Sequence, residues 1–153
     1  MFDNYIEQYG RRLYGLCYRL CASQQEAQDL YQETWLRALA NFRRYDPERE
    51  FEPWISRICV NCYRNQLKKK KYLFTYEHPE DEIAPEKEGH GELYDAINKL
   101  PEKLRATIIL FYFRDMDISS TAKALGIPEG TVKSRLNKGR KLLKEVLTNE
   151  EYI

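Results

Sequence analysis

The sequence predicts an all-α protein: two small helical domains, 1–75 and 92–153, joined by a flexible acidic linker at 76–91. Three observations carry that expectation. Apolar residues recur at three- and four-residue steps, whereas no stretch alternates apolar and polar residues over six positions between turn residues. The chain has 153 residues, enough for one ordinary domain or two small ones. Its charges are also segregated, although the formal net charge is only +1. Residues 1–75 carry 13 basic and 9 acidic side chains, residues 76–92 carry 1 and 7, and residues 118–148 carry 7 and 2. Two basic blocks around an acidic one imply two contacts with a polyanion and a middle that avoids it.

Composition excludes several classes. With 42% hydrophobic and 32% charged residues, 7 Gly and 6 Pro, the chain is neither disordered nor fibrous. Its longest uncharged apolar run, Ala106 to Phe113, is too short to cross a bilayer. Met1-Phe2-Asp3 opens no secretory signal, so a cytoplasmic protein without membrane insertion is expected.

The elements follow in order. Ile6, Tyr9, Leu13, Leu16, Cys17 and Leu20 form the apolar stripe of a first helix. Ser23 caps a second, with Glu26 three residues on, and its inward stripe is Ala27, Leu30, Thr34, Trp35, Ala38, Leu39 and Phe42. Pro47 disfavours helix in the loop that follows. A third helix begins near Pro53, turns Trp54, Ile55, Ile58, Cys59 and Cys62 inward, and runs out into Lys68–Lys71. Past the acidic stretch, Leu93, Ala96, Ile97 and Leu100 mark a short helix ended by Pro101. Pro101 starts another, with Leu104, Thr107, Ile108, Phe111 and Tyr112 inward.

Residues 117–146 are laid out as a helix-turn-helix. Asp117 caps a short helix holding Ala122 and Leu125, Gly126 stands where a left-handed residue is needed, and Ile127 plugs the space between helices. Pro128 starts a second helix with Val132, Leu136, Gly139, Leu143 and Val146 on one side. The other side shows Lys133, Ser134, Asn137, Lys138 and Lys141, a face that suits a major groove. A helical hairpin with a solvated basic face is the alternative.

From Ala124 to Leu143 the run ALGIPEGTVKSRLNKGRKLL resembles region 4 of bacterial extracytoplasmic-function sigma factors, initiation subunits of RNA polymerase in the sigma-70 family. QDLYQETWLRAL (Gln28 to Leu39) resembles their region 2.2, and PWISRICVNCYRNQLKKKK (Pro53 to Lys71) their regions 2.3 to 2.4. INKLPEKLRATIIL (Ile97 to Leu110) is similar to the opening of region 4. Region 4 alone is shared with LuxR-type regulators; the region 2 match sets this chain apart from most of them.

The resemblance implies a role for each surface. Asp29, Gln32, Glu33, Leu36 and Arg37 would dock on the clamp helices of the polymerase largest subunit, while the flap of the second-largest subunit would receive the other domain. The loop from Phe42 to Phe51 would take up a base flipped from the minus-ten element. Tyr45, Phe51 and Trp54 are candidate walls, and Arg43, Arg44 and Arg49 phosphate ligands. Helical spacing equally fits a core role for Trp54. Arg57, Asn61, Arg64, Asn65 and Lys68 share one helix face; Asn61 matches the asparagine that reads the promoter near the melting edge. Thr131, Lys133, Ser134, Asn137 and Lys138 would meet the minus-thirty-five element, with Arg135 and Arg140 on phosphates.

Two residues depart from the family pattern: Thr121 stands where a buried Ile is usual, and Asn137 where an aromatic residue or His is common. The acidic linker is either a plain tether or a mimic of the transcript in the RNA channel. An anti-sigma factor is an expected partner.

Cys17, Cys21, Cys59 and Cys62 fall on or beside apolar stripes and read as small core residues; zinc binding or redox sensing is the alternative. No P-loop, G-x-G-x-x-G or Ser/His/Asp order is present, and both histidines, His78 and His90, fall in the linker, so neither an enzyme nor a cofactor is expected. A stand-alone helix-turn-helix regulator is the rival function.

Overall fold

A computed structural model of the chain describes residues 1–76 and 91–151, with side chains over 1–71 and 91–147. Among the described residues there are seven α-helices and no strand. The chain divides into two compact units, Met1–Lys87 and Glu88–Ile153. The division falls in the acidic stretch, whose residues 77–90, including His78 and His90, lie outside the described residues.

The first unit packs α1 (Phe2–Leu20), α2 (Gln24–Ala40) and α3 (Phe51–Tyr76), with a 3-10 turn at Phe42–Arg44 between α2 and α3. Leu13, Leu16, Cys17 and Leu20 of α1 are buried, as are Leu30, Thr34, Trp35 and Ala38 of α2 and Ile55, Cys59, Val60, Cys62 and Tyr63 of α3. Ser23 caps α2 by accepting from the Glu26 N–H at 3.2 Å, and Glu26 Oε2 accepts in turn from the Ala22 N–H at 3.3 Å. Gly10 lets the first two helices approach closely, since a Cβ there would lie 2.9 Å from the Tyr31 hydroxyl.

Polar clips tie α3 to its neighbours. Arg12 forms an ion pair with Glu52, and Gln66 donates to the Glu26 carbonyl at 3.1 Å while Lys70 reaches the Glu26 carboxylate at 2.8 Å. Such half-exposed pairs contribute about 0.5–1 kcal/mol each, so they set the direction of α3 more than its stability. The helix α3 continues through the lysine stretch to Tyr76.

The second unit holds α4 (Glu92–Asn98), α5 (Glu102–Ile108) and the helix-turn-helix pair α6 (Ile118–Leu125) and α7 (Glu129–Glu151). A π-turn at Ile109–Phe113 prolongs α5, and Asp115 then takes a left-handed φ of 54° that ends it. Leu104, Ile108, Ile109 and Leu110 are buried in and just after α5, as are Ala124 and Leu125 of α6 and Val132 and Leu136 of α7. Gly139 admits Ile108, whose Cδ1 and Cγ1 would stand 3.1 Å from a Cβ on that residue.

The caps of the helix-turn-helix are those the sequence predicts. Asp117 Oδ1 accepts from the Ser120 N–H at 2.7 Å, and Gly126 is left-handed at φ 68°, ψ 38°. Thr121, where an apolar residue was the pattern, is fully buried and turns its hydroxyl to the Met116 carbonyl at 3.5 Å. Three inward assignments are corrected. Leu39, Leu93 and Tyr112 are 56%, 45% and 47% exposed. Leu39 and Tyr112 lie at the margin of their apolar stripes, where a turn of about 40° decides between core and water, and Leu93 lies in the first turn of α4.

Candidate protein and nucleic-acid interfaces

The outer face of α2 combines a leucine patch with a short polar network. Asp29, Gln32, Glu33, Leu36 and Arg37 are all exposed, with Leu36 63% exposed and Leu39 close behind. Gln25 donates to Asp29 Oδ1 at 3.1 Å and Arg37 Nε to Glu33 Oε1 at 2.9 Å, both one helical turn apart. The Glu33 carboxylate, by its hydrogen bond, holds the Arg37 guanidinium above its usual range. Two exposed leucines three residues apart, rimmed by ordered charges, suit a helix-on-helix contact. Leu39 belongs to this surface although the apolar stripe predicted it inward; its spacing from Leu36 is the signal that points outward.

At one end of the first unit the aromatic residues gather into a cluster. Phe51 lies between Tyr5 and Tyr9, at ring-centroid distances of 4.4 and 4.8 Å. Tyr45 packs on Trp54 at 4.8 Å and on Phe42 at 6.1 Å, and its hydroxyl donates to the Arg49 carbonyl. Burial pushes that hydroxyl's pKa upward. Tyr45 and Phe51, two of the expected base-stacking walls, are buried with neighbouring rings packed on them. Trp54, for which a core role was the competing reading, is only half-buried. Arg43, Arg44 and Arg49 are exposed around the cluster, Arg49 lying 4.0 Å from Asp46.

Along α3 the predicted polar stripe is intact. Arg57, Asn61, Asn65 and Lys68 are exposed and Arg64 is half-buried. Their steps of three and four place them on one face. Lys68 and Lys69 are exposed, but Lys70 is committed to Glu26, so the lysine run does not present four equivalent cations.

On α7, Lys133, Ser134, Asn137, Lys138 and Lys141 are exposed, while Thr131 is half-buried. Ser134 donates to the Thr131 carbonyl at 3.0 Å. Two expected phosphate ligands are placed differently. Arg135 is half-buried, with one guanidinium nitrogen out of solvent, because the position borders the Leu136 and Val132 core stripe. Arg140 is exposed but engaged: it donates to the Tyr112 hydroxyl and stands over the Tyr112 and Phe111 rings at 5.5 and 6.0 Å.

The four cysteines are buried thiols, none in a disulfide. Cys17 and Cys59 have their sulfurs 3.7 Å apart, Cys21 turns to Gln66 Oε1 at 3.6 Å, and Cys62 bonds Thr34. Hydrogen bonding to Cys59, then burial, pushes the Cys17 thiol up, and burial does the same for Cys62. Among the described residues no three His, Cys, Asp or Glu side chains converge as a metal site. No helix among them is long and apolar enough to cross a membrane.

These surfaces coincide with two family models: Sigma-70 region 2 matches residues 5–72 and Sigma-70 region 4 matches residues 90–143. The ECF RNA polymerase sigma factor SigW of Bacillus subtilis is 31% identical over 166 residues, covering 95% of this chain and 88% of that protein. The ECF RNA polymerase sigma factor SigE of Mycolicibacterium smegmatis is 30% identical, over 95% of this chain and 61% of the relative. Among solved structures, the sigma factor RpoE of Bartonella quintana, in complex with the anti-sigma factor NepR, is similar with a TM-score of 0.82. It is 23% identical, with 96% of each chain covered. CnrH, in complex with the cytosolic domain of CnrY, has a TM-score of 0.73 at 20% identity, covering 97% of this chain and 88% of its own. Carrying both regions in order, and spanning most of the length of SigW, the chain belongs to the extracytoplasmic-function sigma factors of the sigma-70 family and acts in transcription initiation.

Proposed function

We propose that the two units divide the work of promoter recognition. The outer face of α2 docks on the clamp helices of the core polymerase, with Leu36 and Leu39 as its apolar centre and Asp29, Gln32, Glu33 and Arg37 around them. The stripe Arg57, Asn61, Arg64, Asn65 and Lys68 follows the non-template strand of the minus-ten element. Of the three candidate walls Tyr45, Phe51 and Trp54, Trp54 is the half-exposed one and the best placed to stack on an unpaired base, with Arg43, Arg44 and Arg49 on phosphates. The second unit lays α7 in the major groove of the minus-thirty-five element, with Lys133, Ser134, Asn137 and Lys138 facing the DNA, and meets the polymerase flap. RNA synthesis itself belongs to the core enzyme. The sigma factor RpoE was co-crystallised with the anti-sigma factor NepR, which supports a partner of that kind here.

One observation carries this reading: Leu36 and Leu39 are exposed on α2 while the polar stripe is exposed on a different helix, α3, so the first unit offers one surface to polymerase and another to DNA. A stand-alone helix-turn-helix regulator leaves that leucine face without a role. The experiment is transcription by purified core polymerase on a pool of genomic fragments. New discrete start sites that depend on this protein, and disappear on replacing Asp29, Gln32 and Glu33, are expected. No new start sites from folded protein would overturn the proposal.

A further inference from the structure

Arg140 is drawn back over aromatic rings, yet it reaches one more group. Its Nη1 donates to Asn137 Oδ1 at 3.3 Å, one turn earlier on α7. Tyr112 holds the guanidinium at Nε, and the Tyr112 and Phe111 rings lie beneath it. Asn137 is exposed on the same stripe as Lys133, Ser134 and Lys141. The bond has only one chemical sense: a guanidinium carries donors and no acceptor, so it can engage the amide oxygen of Asn137 and never its nitrogen.

That constraint bears on what Asn137 can read. A free asparagine offers a donor and an acceptor side by side, the pattern that matches adenine N7 and N6 in the major groove. With its oxygen drawn toward Arg140, Asn137 presents chiefly its NH2 group. Guanine offers two acceptors, N7 and O6, to such a donor, whereas adenine sets its own N6 donor against it. We propose that Arg140, fixed by Tyr112 and Phe111, is a positioning residue that orients Asn137 as a donor and so makes it read guanine in preference to adenine. This rests on α7 being the recognition helix.

The test uses the full-length protein with core polymerase, on promoters whose upstream element is randomised, with transcripts sequenced to score each base. Asn137→Ala identifies the position that Asn137 reads, by flattening the preference there alone. Wild type should favour guanine at that position. Arg140→Ala should shift the preference toward adenine by about tenfold, within the range of a bidentate amide–adenine pair, and leave other positions unchanged. Tyr112→Phe keeps the ring and removes the hydroxyl that holds Nε; it should move the same position the same way, more weakly. This variant also keeps the test decisive if Arg140→Ala folds poorly. Wild-type preference for adenine there, or an Arg140→Ala loss spread evenly over all sequences as for a phosphate ligand, would overturn the proposal. If wild type initiates on no library member, the recognition-helix reading itself fails and the proposal falls with it.

Discussion

The docking role of α2 predicts a large change in binding from two substitutions that hardly touch the fold. Leu36 and Leu39 keep 63% and 56% of their surface in water. Burying a whole leucine is worth about 1.5–3 kcal/mol, so covering the exposed part of each on a partner contributes about 1–1.5 kcal/mol. Each single alanine variant should therefore raise the Kd for core polymerase about tenfold, and the double variant about a hundredfold where the two act independently. Folding should change little, since alanine is the better helix former and neither side chain fills the core. Titrating labelled protein with purified core polymerase measures the first quantity, and urea unfolding the second. Because the lost contact is apolar, the difference between variant and wild type should persist at high salt. A double variant with wild-type Kd and wild-type unfolding would refute the assignment. So would a double variant that loses binding because it has unfolded, for that would place the leucines in the core.

The other predictions concern the fold and its chemistry. Asp117→Ala should lower the urea midpoint at neutral pH, whereas Asp117→Asn, which can still cap, should lower it less. The Ser120 N–H holds the Asp117 carboxyl below its usual range. A depressed folded pKa stabilises above the unfolded value, about 3.9, and that stability is lost as pH falls through the folded one, so the gap between wild type and Asp117→Ala should close in acid. A pH-independent gap would refute this. Gly126→Ala should cost about 1–2 kcal/mol, because a Cβ is introduced at a left-handed φ of 68°, and an unchanged unfolding midpoint would contradict it. Native-state alkylation of all four cysteines should be slow and should speed up only with unfolding, since every thiol is buried and those of Cys17 and Cys62 are pushed up. A thiol reacting at the rate of a free one would point to redox chemistry instead.

The helices and their caps were legible because each rests on local chemistry. Ser23 with Glu26, Asp117 and Gly126 satisfy or redirect backbone groups within a few residues, and these interactions reappear in the folded chain. Burial at the edges of a stripe depends on what the neighbouring element brings, which periodicity does not encode. Tyr45 and Phe51 are buried because Tyr5 and Tyr9, some forty residues earlier, supply rings to cover them. Leu39 is exposed because α1 and α3 close over the other side of α2, against Trp35 and Ala38.

The same distinction separates what the sequence can and cannot say about DNA binding. The charge of α7 and the exposure of Lys133, Asn137 and Lys141 follow from composition and period, and they suffice for affinity, which depends on neutralised phosphates. Base preference depends on how one amide is turned. That orientation is set by Arg140 and by an exposed tyrosine, Tyr112, which the apolar pattern assigns to the core. A family resemblance transfers the helix and its groove, but the side chain that turns Asn137 comes from outside the reading face. On the proposal above, two relatives with identical exposed residues on α7 should prefer different bases when position 112 differs. Promoter specificity in such chains has to be argued from the aromatic support beneath the recognition helix as well as from the residues that meet the DNA.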